Sequence, residues 1–117
     1  MAIASVVAIE IRLDRAKRVL HVTFDDTSKI ALTAEYLRVE SPSAEVQGHG
    51  GGQKITLAGK SGVNIIAIEP VGNYAVRLIF DDGHDTGIYT WDYFSELGRE
   101  YDFRWPNYLA ALAGGGA

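Results

Sequence analysis

The chain has 117 residues, 47% of them hydrophobic and 22% charged, with a net charge of −4. That is the balance of one ordinary globular domain with enough length to bury a core, and it excludes a disordered chain. No cysteine is present, which excludes disulfides, thiolate metal sites and a cysteine nucleophile within this chain. The Lys and Arg residues are scattered rather than gathered in a stripe, so nucleic acid is not an expected partner. No apolar run approaches the length of a membrane span, so no membrane role is expected, and a cytoplasmic location fits the missing cysteines.

Val6 to Ile11 is β-branched and apolar, and predicts a first strand rather than a leader, since Glu10 and Arg12 interrupt it early. A polar turn follows at Asp14 to Lys17. Leu20, Val22 and Phe24 then alternate with His21 and Thr23, the period of a half-buried strand. Asp25-Asp26-Thr27 turns the chain into a returning strand carrying Ile30 and Leu32. Thr33 is placed to cap a short helix reaching Arg38. Ser41 to Gly52, with one proline and four glycines, breaks every period and reads as a long loop. Lys54 to Leu57 and Val63 to Glu69 read as strands, with a tight turn expected at Pro70 to Gly72. Tyr74 to Phe80, the Asp81-Asp82-Gly83 turn and a returning strand form a second hairpin, which runs into an aromatic-rich helix. A last short helix is expected over Asn107 to Ala113, with Pro106 in its first turn, before a frayed Gly-rich tail.

The two halves match. Val7 to Glu10 resembles Ile66 to Glu69, Val22 to Asp26 resembles Leu78 to Asp82, and Glu35 to Leu37 resembles Asp92 to Phe94. The expected fold is α+β: a mostly antiparallel sheet of six or seven strands built from a duplicated strand-hairpin-helix unit, with two or three short helices. A three-residue loop in each hairpin would set Leu20 against Leu32, Val22 against Ile30 and Phe24 against Ser28. In the second half it would set Phe80 against His84, Leu78 against Thr86 and Val76 against Ile88. Thr27 and Gly83 would take the left-handed position. A two-residue Asp-Gly turn is the competing register.

Potentially chemical side chains are densest at Asp81, Asp82, His84, Asp85, Trp91 and Asp92. His84 among carboxylates suits a metal ligand or a proton-transfer group, but equally a turn histidine bonded to an aspartate. His49 is the nearest candidate co-ligand, without supporting spacing. His49-Gly-Gly-Gly52 copies an esterase oxyanion loop without a nucleophile elbow, and Gly59-Lys60-Ser61 copies the end of a P-loop without its first glycine. Neither completes a catalytic set, and no enzyme activity is expected.

Leu37-Arg38, Ser41-Pro-Ser-Ala-Glu-Val46, Gly48-His-Gly50, Glu69-Pro-Val-Gly-Asn-Tyr74 and Phe80-Asp-Asp-Gly-His-Asp-Thr-Gly-Ile-Tyr-Thr-Trp-Asp-Tyr93 resemble the gamma-butyrobetaine hydroxylase N-terminal-like family over residues 5 to 100. The resemblance implies one domain over residues 1–105, with residues 106–117 as a terminal helix and tail. In the oxygenases that name the family, this domain precedes the catalytic one. It holds a structural zinc through three cysteines and the histidine of the Asp-Gly-His turn. On this sequence the histidine position is His84, and the cysteine positions fall on Ser41, Ser43 and Val46. No metal and no other cofactor is therefore expected. A similar domain is appended to iron–sulfur cluster carriers. The resemblance thus implies a non-catalytic accessory module, with a protein partner or a second copy of itself. Asp81, Asp82, His84, Asp85, Trp91 and His49 are the candidate face, and a zinc-, iron- or iron–sulfur-associated role is the alternative.

Overall fold

The computed structural model describes residues 6–43, 46 and 57–114. Among the described residues six strands fall in two three-stranded antiparallel sheets, not in one continuous sheet. The first contains β1 (Ala8–Asp14), β2 (Val19–Phe24) and β3 (Lys29–Thr33), in that spatial order, and leads into helix α1 (Ala34–Val39). The second contains β4 (Ile65–Val71), β5 (Ala75–Phe80) and β6 (Ile88–Thr90), and leads into α2 (Trp91–Arg99). A third helix, α3 (Tyr101–Ala113), closes the fold. The expected strand over Lys54 to Leu57 and the centre of the long loop, including His49, lie outside the described residues, apart from Leu57, which is not in a strand.

Alternation decides which face each strand buries. Leu20, Val22 and Phe24 point inward from β2, and Val76, Leu78 and Phe80 from β5, all at most 5% exposed. Tyr36 and Leu37 of α1, and Phe94 and Leu97 of α2, complete the core between the sheets. Each large apolar side chain so buried stabilises the fold by roughly 1.5–3 kcal/mol. The Tyr36 hydroxyl donates to the Leu97 carbonyl at 2.7 Å, so a polar group in that core is satisfied while joining α1 to α2.

Both hairpin turns are the three-residue kind. Phe24 N–H donates to Ser28 O at 2.9 Å, and Phe80 N–H to His84 O at 2.9 Å. Thr27 (φ 72°) and Gly83 (φ 91°) are left-handed, as the register requires. In the first half Leu20 pairs with Leu32 and Val22 with Ile30. The second half departs from its expected register. Val76 pairs with Tyr89 and Arg77 with Ile88, because one extra residue is taken up between His84, whose carbonyl accepts from Phe80, and Gly87, whose carbonyl accepts from Leu78. A slip of one exchanges the faces, so Tyr89 is fully buried and Ile88 is 43% exposed.

Smaller shifts have similarly local causes. β4 continues through Pro70, which an edge strand tolerates, and the turn centres on Gly72 at φ 54°. α3 starts at Tyr101, six residues before the expected Asn107, with Pro106 inside it. Its first turns are anchored from outside: Tyr101 and Trp105 pack edge-on against Tyr36, with ring centroids 5.0 and 6.1 Å away. Arg104 donates to Glu40, Glu96 and Glu100.

Candidate functional site

Thr33 Oγ1 accepts the Tyr36 N–H at 3.1 Å and so starts α1. One and a half turns later the chain leaves the helix at Glu40, whose side chain is fully buried and takes Arg104 Nη1 at 2.8 Å. Tyr93, with its ring beside the Arg104 guanidinium, donates its hydroxyl to the Glu40 carbonyl at 2.5 Å. Burial pushes the Tyr93 hydroxyl up to about 12 despite that guanidinium. The anchoring at Glu40 fixes where Ser41 and Ser43 fall.

They fall on His84. Ser41 Oγ lies 2.9 Å and Ser43 Oγ 3.4 Å from the same His84 Nε2. The Ser43 N–H donates to Ser41 Oγ at 3.3 Å. All three residues are at most 9% exposed. Val46, 1% exposed, donates its N–H to the Ser43 carbonyl at 3.1 Å. Gly87 closes the cluster from the hairpin side: a Cβ there would stand 2.5 Å from Ser41 Oγ. Beside it, Tyr89 donates its hydroxyl to the Leu37 carbonyl at 2.5 Å, and burial raises its pKa against the opposing hydrogen bond with Ser41. His84 thus faces inward, with its ring centroid 6.0 Å from Phe80.

The surrounding carboxylates do other work. Asp82 takes Lys60 Nζ at 2.7 Å and Arg38 Nε at 2.8 Å on one oxygen, and the His84 N–H at 3.1 Å on the other. Burial alone would raise its pKa, but these donors together hold it down to about 2. Arg38 is itself 8% exposed, a buried cation whose charge Asp82 balances. Asp81 is exposed and accepts the Asn64 N–H at 3.1 Å, and exposed Asp85 lies 3.7 Å from Arg77. Asp81, Asp82 and Asp85, which flank His84 in sequence, thus hold Asn64, Lys60, Arg38, Arg77 and the turn backbone.

The residues at the implied zinc positions do not fit the ion. Zinc is held by thiolate, imidazole or carboxylate, and here the positions offer two neutral hydroxyls and an isopropyl group. Ligands of a tetrahedral zinc stand roughly 3.3–3.8 Å apart, given bonds of about 2.0–2.3 Å. Ser41 Oγ and His84 Nε2 are closer, at hydrogen-bond distance. Among the described residues no group of three or more His, Asp or Glu side chains is placed to hold a metal.

Trp91 lies elsewhere. It starts α2 after the Thr90 cap, beside Ala75 at the opposite end of β5 from Phe80. A six-residue strand separates the two places by roughly 17 Å. Its indole N–H donates to the Asn73 carbonyl at 3.0 Å, and its ring stacks on Phe94. Around it Val6, Val7, Asn73, Tyr74, Trp91 and Asp92 line an open cavity of about 550 Å³. Tyr74 is 54% exposed there and Val7 45%. Sequence proximity had grouped Trp91 with His84; the length of β5 keeps them apart. Tyr74 and Val7 were missed as site residues because nothing in the sequence tells a solvent-facing apolar residue from a core one.

The family described as "Gamma-butyrobetaine hydroxylase-like, N-terminal" matches residues 11–95. No curated protein matches the chain. Two NMR solution structures are similar at 44% identity. One covers 100% of this chain and 89% of its own, with a TM-score of 0.84; the other covers 97% and 89%, with a TM-score of 0.82. A crystal structure of a protein of unknown function from Acidithiobacillus ferrooxidans, of the DUF971 family, is 43% identical. It covers 78% of this chain and 91% of its own, with a TM-score of 0.65. With the family matched over most of its length, this chain belongs to the gamma-butyrobetaine hydroxylase-like N-terminal domain family.

Proposed function

We propose that the chain is a non-catalytic binding module that meets a protein partner at the Tyr74–Trp91 end of the second sheet. The observation that carries this reading is the open cavity of 550 Å³ there, with Tyr74 and Val7 exposed on its walls. Half-exposed aromatics beside aliphatic walls suit the anchoring side chain of another protein. The family supports the non-catalytic part, since it is named for the portion of the hydroxylase that lacks the catalytic domain. The exposed carboxylates Asp81 and Asp85 would form a separate acidic rim, and buried His84 would support that turn from beneath. A zinc or iron–sulfur role is not favoured by the donors present.

We read the two halves as a duplicated unit in which only the second kept this surface. Support comes from the paired left-handed turns at Thr27 and Gly83, the register shifts after Ala8 and Ile65, and the threonine caps Thr33 and Thr90. At the step where Trp91 follows Thr90, Ala34 follows Thr33 and is fully buried.

A photo-crosslinking residue in place of Tyr74, introduced in host cells, tests the proposal. A discrete heterologous adduct, abolished by Val7→Glu, is expected; adducts to the chain itself would indicate a homo-oligomer instead. No adduct at position 74, with a strong one at position 85, would move the contact to the acidic turn.

A further inference from the structure

The Ser41, Ser43 and His84 side chains raise a question independent of any partner: what holds the segment after α1 against the second hairpin? Two buried hydroxyls, 43 and 41 residues before His84 in sequence, converge on one nitrogen of its imidazole. Burying them without mutual hydrogen bonds would be costly, and with them the cost is largely offset. The packing is also tight around the hydroxyl. Gly87 leaves room for Ser41 Oγ where any side chain would collide.

We infer that Ser41, Ser43 and His84 form a metal-independent clasp, a hydrogen-bonded closure at the place where the family's cysteine-bearing domains use an ion. The donor set explains why. Hydroxyls bond to imidazole directly at 2.9 Å, whereas thiolates would repel one another at such distances without a cation between them. Val46 follows from the same logic: a ligand position that no longer meets an ion is filled by a buried aliphatic side chain. The clasp fastens the exit of α1 to the β5–β6 turn, and the fold needs no metal supply to stay closed.

The test uses the full chain purified without a histidine tag. Wild-type protein is expected to carry less than about 0.1 equivalent of zinc and to melt at the same temperature with or without chelator. Ser41→Cys, Ser43→Cys and Val46→Cys combined should restore three thiolates beside His84. That variant is expected to take up one equivalent of cobalt, with a thiolate-to-cobalt charge-transfer band that His84→Gln weakens. Stoichiometric zinc in the wild type, lost in His84→Gln, would overturn the inference. So would a folded triple variant that binds no cobalt. If the triple variant does not fold, the double-mutant cycle of Ser41→Ala and His84→Gln decides. Losses of melting temperature well short of additive uphold the clasp, and strictly additive losses refute it.

Discussion

Asp82→Ala should be among the most destabilising changes at the surface of this protein. The carboxylate receives Lys60 and Arg38 on one oxygen and the His84 N–H on the other. The Arg38 side chain is only 10% exposed, so removing its anion leaves a guanidinium in a poorly solvated place. Breaking a fully buried pair costs about 3–5 kcal/mol. Asp82 retains 19% and Lys60 22% side-chain exposure, and water will screen part of the loss, so about 3 kcal/mol is the working figure. With an unfolding entropy of about 2.1 cal/mol/K per residue, each kcal/mol corresponds to roughly 4 °C, and the melting temperature should fall by about 12 °C. The effect must also depend on pH. The folded pKa of Asp82 is depressed to about 2 from an ordinary value of 3.8, so its contribution is fully present above the unfolded value and is lost as pH falls toward 2. Thermal melts of both proteins at pH 7 and at pH 2.5 measure the difference. The gap should be full at pH 7 and markedly smaller at pH 2.5. A fall below about 2 °C at pH 7, or a gap that does not shrink in acid, would refute the claim that Asp82 is the counter-ion of buried Arg38.

Three further substitutions test other joints of the fold. Thr27→Gly should stabilise by about 0.5–1 kcal/mol, because a β-branched residue at φ 72° is strained and glycine is not; thermal melts read it. Gly87→Ala should destabilise by about 1–3 kcal/mol, since its methyl would stand 2.5 Å from Ser41 Oγ and 3.1 Å from the Tyr89 ring. In NMR spectra the disturbance should centre on residues 41–43 and 84–89. Glu40→Ala should cost about 3 kcal/mol by removing the fully buried anion from Arg104, and should loosen α3 first, measurable as faster amide exchange over Tyr101–Ala113.

Sequence alternation was enough to place β2, β3 and β5, and Thr33 was legible as the cap of α1, since period-2 burial and threonine caps act locally. The first-hairpin register followed from loop length alone. Its counterpart in the second half failed for a reason no periodicity carries. Gly87 must lie flat under Ser41 and Pro42, and Arg77 reaches across to the Asp85 carbonyl at 2.8 Å. These are contacts with a segment some 45 residues away and with the strand opposite. They accompany the extra residue taken up between His84 and Gly87, by which Tyr89, not Ile88, enters the core. The long α3 was hidden in the same way: its first turns depend on Tyr36, Glu40 and Glu96, which tertiary structure brings together. The separation into two sheets was equally illegible, because strand alternation says which face is buried but not which edge is paired.

The candidate site divides along the same line. That His84 would sit beside Phe80 at the end of a buried face was legible from the turn, and the structure places it there. What the turn could not tell was its partner. Carboxylates flank His84 in sequence, yet in the turn Asp81 meets Asn64, Asp82 meets Arg38 and Lys60, and Asp85 meets Arg77, while two serines reach the imidazole from the segment after α1. Neighbourhood along the chain therefore overstated the chemistry at this corner, and it also joined Trp91 to a cluster lying at the other end of β5. The same six-residue strand gives the molecule two distinct ends. One carries the buried Ser41–His84 hydrogen bond and the Arg38–Asp82 ion pair; the other is open, apolar and half exposed at Tyr74. A surface meant to be covered by a partner must leave apolar area unsatisfied until that partner arrives. Among the described residues the Tyr74–Trp91 end does so, and that is the ground on which a partner contact is proposed there.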